Sequence, residues 1–191
     1  MNFRLFSLLT LIVLVFNISP VWAQTAAAGV DYAAVKKEIA VFEGIIDTTI
    51  KQLVEGSFPL LSSTKGTFLA DYGVLFSLEA NLFQIRQISP FSPQPHSQKE
   101  LDEAYALMIK RLALVKGAVI RAIGEYGASL QQLKPDQNLI VAMHLFNVDS
   151  QMKQPVPSQV IFKVRRSVIN QYRENRLPLA EFTKQMEIVQ F

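Results

Sequence analysis

Between Ser97 and Leu133 the chain carries its longest apolar seam. Leu101, Tyr105, Met108, Leu112, Val115, Val119, Ile123, Tyr126, Leu130 and Leu133 follow one another in steps of three and four, the spacing that lines one face of an α-helix. Ser97 and Glu100 supply a start signal: the serine side chain accepts from an orphan backbone N–H while the glutamate reaches back. Unbroken to Leu133, such a helix would be about 50 Å long at 1.5 Å per residue. Gly117, Gly124 and Gly127 weaken its continuity, and Pro135 ends it. A helix of this length is stable only when its apolar face is covered, so the rest of the chain must supply a surface for it.

A second helix with the same need is expected over Asp31–Glu55. Val35, Ile39, Phe42, Ile46, Ile50 and Leu53 form its stripe, with Lys36, Lys37, Glu43, Asp47 and Lys51 off it and Gly56 as its stop. The covering surface comes from strands. Ser57–Lys65 reads as a loop, and Thr67–Ala80 as a hairpin or bent strand with its turn at Asp71-Tyr72-Gly73. Asn81–Ile88 fits a short helix or a strand continuation. Ser89–Pro95, with three prolines, reads as a loop. Asn138–Asn147 is apolar on both sides, as in a central strand. Asp149–Ser158 is a connection, and Gln159–Arg166 alternates Val160, Phe162 and Val164 with Ile161, Lys163 and Arg165, so one side should face water. Short helices are expected over Ser167–Asn175 and Leu179–Glu187. The order predicts an α+β fold: a two-layer domain with two long amphipathic helices packed on a small, mostly antiparallel sheet.

The beginning of the chain is an export signal. Arg4 precedes an apolar run from Leu5 to Ile18, Ser19-Pro20 breaks it, and Val21-Trp22-Ala23 places small residues at the −3 and −1 positions of a cleavage site. The apolar run falls short of the ~20 residues needed to span a bilayer. Cleavage between Ala23 and Gln24 would leave residues 24–191 as one α+β domain, with 24–30 a mobile lead-in, located in the periplasm or secreted, without a transmembrane segment. Cysteine is absent from all 191 residues, which removes disulfide staples, thiolate metal sites, thiol catalysis and a lipid-modified cysteine. The net charge is +3 and Arg4 leaves with the signal. So small a surplus gives no basis for nucleic-acid binding.

Chemistry-bearing motifs are sparse. The two histidines are His96, in the proline loop, and His144, on the Ile140–Ala142–Phe146 side of a strand that reads as buried. No helical zinc motif, calcium loop, Walker loop or nucleophile elbow occurs, and no cofactor or metal is expected. Asp71 and Glu79 would share a side if Asp71 were strand, but Asp two residues before Gly is turn chemistry. Glu125-Tyr126-Gly127 is a polar–aromatic group that packing along the seam explains. Lys163, Arg165, Arg166, Arg173 and Arg176 form the one candidate binding set, suited to an anionic polysaccharide, phospholipid head groups or the acidic face of a partner protein. The plainer reading is the solvated side of an edge strand.

The runs Gly66-Thr67-Phe68-Leu69-Ala70-Asp71-Tyr72-Gly73-Val74-Leu75-Phe76, Ala122-Ile123-Gly124-Glu125-Tyr126-Gly127 and Val164-Arg165-Arg166-Ser167, with Tyr172 and Leu179-Ala180-Glu181-Phe182, resemble a group of uncharacterised secreted bacterial proteins. The resemblance covers most of the mature chain and implies a bacterial periplasmic setting, with no activity or site residue attached. The leading expectation is a non-catalytic binding module. The alternatives are an envelope hydrolase whose carboxylates or His144 converge only in the fold, and an oligomerising structural protein that uses spare seam on the long helix.

Overall fold

A computed structural model describes residues 30–53, 60–83, 91, 95–146 and 156–191. The expected export signal with its Ala23–Gln24 junction, residues 24–29 of the expected lead-in, the expected Gly56 stop, and most of the 81–88, 89–95 and 149–158 segments lie outside the described residues. The elements run α1 (Tyr32–Leu53), β1 (Leu60–Leu69), β2 (Gly73–Ala80), α2 (Gln98–Tyr126), a 3-10 turn (Gly127–Ser129), β3 (Asn138–Leu145), β4 (Gln159–Arg165), α3 (Arg166–Arg173), α4 (Leu179–Lys184) and β5 (Glu187–Gln190). The strands form one sheet in sequence order. β2 and β3 are parallel, joined through α2, and the other neighbours are antiparallel. This is the expected α+β architecture, with long helices on a mostly antiparallel sheet.

Both long helices bury the stripes that define them. Val35, Ile39, Phe42, Ile46 and Ile50 of α1 and Met108, Leu112, Val115, Val119 and Ile123 of α2 are buried. They meet one face of the sheet, formed by Val74, Phe76, Leu78 and Ala80 of β2, Leu139, Val141, Met143 and Leu145 of β3, and Val160, Phe162 and Val164 of β4. Phe42 and Phe76 sit at its heart with ring centroids 4.8 Å apart, both fully buried. Each such side chain stabilises the fold by about 2–3 kcal/mol through area removed from water. Ser97 and Glu100 form the capping box at the start of α2: Glu100 N–H donates to Ser97 Oγ at 3.3 Å and Ser97 N–H to Glu100 Oε2 at 2.7 Å.

Several expectations need correction. α2 stops at Tyr126, and the chain tightens into the 3-10 turn, so Leu130 and Leu133 join the core from a non-helical segment. Tyr126, expected on the seam, is 46% exposed. β1 begins at Leu60, inside the stretch read as a loop. Its backbone explains why: Thr64 N–H donates to Asp47 Oδ1 at 2.9 Å and Gly66 N–H to Glu43 Oε1 at 2.7 Å. The polar residues of α1 that flank its apolar stripe therefore satisfy the outer edge of β1. The C-terminal residues from Glu187 are not helical. They form β5, where Phe162 pairs with Ile188 and Lys163 with Glu187. His144 does not lie in a buried environment. It is exposed at the end of β3, opposite Glu79 of β2, with its Nε2 3.3 Å from Gln159 Nε2.

Candidate functional site

β4 alternation sends Val160, Phe162 and Val164 into the helix-packed core and Ile161, Lys163 and Arg165 onto the opposite face. The chain then turns directly into α3, which reverses the direction of the next side chain. Arg166 points back into the fold, where its guanidinium donates to the carbonyls of Leu130, Leu133 (2.9 Å) and Ala128 (3.5 Å). Those carbonyls follow the C-terminal end of α2, where the Leu130 carbonyl also accepts from Leu133 N–H at 3.2 Å. Burial lowers the Arg166 pKa from its ordinary value, and the nearby Glu38 carboxylate opposes that shift. Arg166 is thus committed to holding the α2 terminus against α3.

The remaining members of the basic set separate. Arg176 pairs with Glu174 across a tight turn. Asn175 in that turn has φ +57°. Arg173, at the end of α3, borders a hollow of about 400 Å³ with Glu125, Tyr172 and Pro178. Lys163 and Arg165 line a different hollow, of about 410 Å³. The sequence-defined set therefore does not form a single patch, and the structure brings together Lys163 and Arg165 alone.

The hollow around Lys163 and Arg165 exists because β5 is short. β5 pairs with β4 only from Val160 to Lys163, leaving Val164 and Arg165 without a strand neighbour on that side. α4 ends at Lys184, and the chain reaches β5 through Gln185 and Met186, so Gln185 and Glu187 form one wall. Asp136, Asn138 and Tyr72 form the other. Gly73 places Tyr72 there. It has φ +133°, and a Cβ at this position would stand 1.9 Å from the Asn138 carbonyl oxygen. Only glycine lets β2 start this close to β3. Asn138 N–H donates to the Tyr72 carbonyl at 2.9 Å and Asn138 Nδ2 to the same oxygen at 3.3 Å. The buried Gln137 side chain donates to Ala70 C=O and accepts from Lys134 N–H at 2.8 Å, which fixes the turn carrying Asp136.

Inside the hollow, Lys163 Nζ is 2.9 Å from Glu187 Oε2. Its pKa is raised above the ordinary lysine value, first by the hydrogen bond and charge of Glu187 and then by Tyr72. The amine stays an ammonium, a donor and a charge rather than a nucleophile. Arg165 and Asp136 are both exposed, and neither has a hydrogen-bond or ion-pair partner among the described residues. No serine, threonine, cysteine or histidine lines the hollow. The lining offers charged and hydrogen-bonding side chains.

Next to the hollow, the same sheet face is apolar. Leu75, Ile140 and Lys163 share one cross-strand row, and Ala142, Ile161 and Val189 the next. These side chains lie outside the helix-packed cluster, and Ile140 and Ala142 among them are buried. Tyr72, Asp136, Asn138, Gln185 and Glu187 carried no sequence signal as site residues, because their convergence depends on the β2–β3 pairing and on β5. Asp71 lies in the turn, away from strand register with Glu79, as turn chemistry predicts. His96 Nδ1 is buried without a hydrogen-bond partner among the described residues. No group of three or more histidine, aspartate or glutamate side chains among the described residues is placed to hold a metal ion. No helix among them is long and apolar enough to cross a membrane. No protein-family model, no curated protein and no solved structure matches this chain.

Proposed function

We propose that this chain is an exported interaction module, periplasmic or secreted, that recognises a component of the bacterial envelope without chemically transforming it. Its binding site is the hollow beside Lys163 and Arg165. The observation that carries this reading is the composition of that hollow. Polar side chains from four separate segments meet there, its lysine is tied to Glu187 as an ammonium, and no hydroxyl, thiol or imidazole nucleophile of Ser, Thr, Cys or His lines it. Sites built for acyl or glycosyl transfer need an activated nucleophile or two carboxylates with separated pKa values. Here one of the two lining carboxylates, Glu187, is engaged by Lys163.

Two measurements test this reading. Mass spectrometry of the protein recovered from the envelope or medium should find Gln24 as its first residue, and recovery with Met1 from the cytosol overturns the export assignment. A photo-crosslinking residue at position 165 should give a discrete adduct in intact cells. One at Leu114, exposed on α2, should give none. Adducts from position 114 with none from position 165 would move the binding surface away from the hollow.

A further inference from the structure

We infer that the outer edge of β5 pairs with the outer edge of β5 in a second copy of this chain, joining two five-stranded sheets into one. The inference stands apart from the reading of the hollow, and it sets how many hollows one particle presents. The two edges of the sheet carry it, because they are finished differently.

At the β1 edge, three devices oppose pairing. The register with β2 shifts between Leu60 and Ser62 and again between Ser62 and Lys65. Asp47 and Glu43 of α1 take the Thr64 and Gly66 N–H groups. Lys65 is exposed on the strand.

β5 has none of these. It stands at the other end of the strand order, and its pairing with β4 runs without a register shift. Phe191 and Gln159 exchange both backbone hydrogen bonds, at 3.1 and 3.4 Å. Antiparallel alternation then turns the N–H and C=O of Glu187 and Val189 towards β4, and those of Ile188 and Gln190 outward. None of these four outward groups has a partner among the described residues. Such an edge is matched by another extended backbone.

A second β5 fits it. Set antiparallel about a two-fold axis through Val189, Ile188 of each copy faces Gln190 of the other, and every outward group is satisfied in four hydrogen bonds. The charges allow it. Glu187 is the one ionisable residue of β5, and Lys163 of its own copy holds it at 2.9 Å. In this register Glu187 stands opposite Phe191, so no like charges face each other along the strand. Ile188 and Val189, at the centre, are β-branched and half-buried, suited to cross-strand contact. A strand of four residues covers far less than the ~800 Å² per partner of a standard stable interface, so the pairing is reversible, with a Kd of roughly 10–500 μM. Lys163 and Glu187 lie on the same sheet face as Val189. A two-fold axis normal to the sheet keeps that face on one side in both copies, so the dimer presents two hollows together and would hold a surface of repeated ligands by both at once.

Sedimentation equilibrium of the mature protein should show a mass rising from one copy to two as concentration passes through that range. Val189→Lys should weaken association at least about tenfold, with circular dichroism and Tm close to those of the parent. The chain has no cysteine, so an introduced thiol reports on its own. Val189 facing its own copy is a non-hydrogen-bonded pair, with Cα atoms about 4.5 Å apart and within disulfide reach. Val189→Cys should therefore oxidise to a covalent dimer, and Thr67→Cys, exposed on β1, should not. A single-copy mass at every concentration overturns the inference. So does a dimer that Val189→Lys leaves intact, or equal oxidation at positions 67 and 189, since either places the contact elsewhere. A monomer whose position 189 crosslinks to a different protein in cells gives the edge to a foreign strand and overturns the second copy as its occupant. Crosslinking from position 165 is independent of these outcomes, so the hollow and the dimer can fail separately.

Discussion

Two glycines of α2 are expected to respond in opposite directions to the same substitution. Gly117 lies in the interior of α2 and Gly124 in its last turn, so replacing either by alanine gains up to about 1 kcal/mol of helix propensity. Their surroundings differ. A Cβ at Gly117 would meet only Arg121 Nη1, at 3.7 Å, an ordinary contact. A Cβ at Gly124 would stand 2.8 Å from Tyr172 Cε1 and 3.2 Å from Phe182 Cε1. These two rings pack on each other with centroids 4.8 Å apart; Phe182 is fully buried and cannot retreat, so Tyr172, which is partly buried beside the second hollow, can shift only by giving up its packing on Phe182. Forcing a methyl group into such a contact costs about 1–3 kcal/mol, and disturbing the ring pair adds about 1 kcal/mol. Gly117→Ala should therefore stabilise by up to about 1 kcal/mol, while Gly124→Ala should destabilise by about 1–3 kcal/mol. The variants should differ by about 2–4 kcal/mol, or about 4–16 °C in Tm for a domain of this size. Urea unfolding at equilibrium checks this, with unchanged m-values confirming that only stability moved. Equal stabilisation by both would mean that Tyr172 and Phe182 do not bear on Gly124, and the docking of α3 and α4 on α2 would need to be redrawn.

Arg166→Ala should cost about 2–3 kcal/mol, because it strips a charged donor from the carbonyls of Leu130, Leu133 and Ala128. Arg166→Lys should recover only part of that, since an ammonium cannot span the same acceptors. Arg165→Ala, one residue away but exposed, should stay within about 0.5 kcal/mol of the parent. Thermal unfolding compares all three. Asp47→Ala should destabilise by about 1–3 kcal/mol, since it orphans the Thr64 backbone N–H and hydroxyl. It should also raise the tendency to aggregate, read by light scattering, because the β1 edge opens. The Lys163 ammonium should titrate above the ordinary lysine value in an NMR pH series, and Glu187→Gln should lower it towards that value. Because its folded pKa is raised, the stabilisation from this pair is fully present below the unfolded lysine value. It is lost as pH rises through the folded one, so neutral-pH stability should not vary with the protonation of Lys163.

What the sequence determined by itself was local. Stripes at helical spacing placed α1 and α2, Ser97 and Glu100 set the start of α2, Asp71-Tyr72-Gly73 set the hairpin turn, and alternation on β4 assigned Val160, Phe162 and Val164 to the core. Each signal operates within a few residues, through periodicity or through a side chain reaching nearby backbone. Tertiary structure decided whatever depends on partners distant in the chain. Glu187-Ile188-Val189-Gln190 is a strand because β4 offers an edge. Leu60–Lys65 is strand because β2 pairs with it on one side and Asp47, on α1, takes the Thr64 N–H. The adjacent residues Arg165 and Arg166 have opposite fates because the chain changes from strand to helix between them, turning one outward to the hollow and the other inward to the carbonyls after α2. Backbone hydrogen-bond partners and side-chain direction at an element boundary are set by the assembled sheet, and no window of sequence contains them.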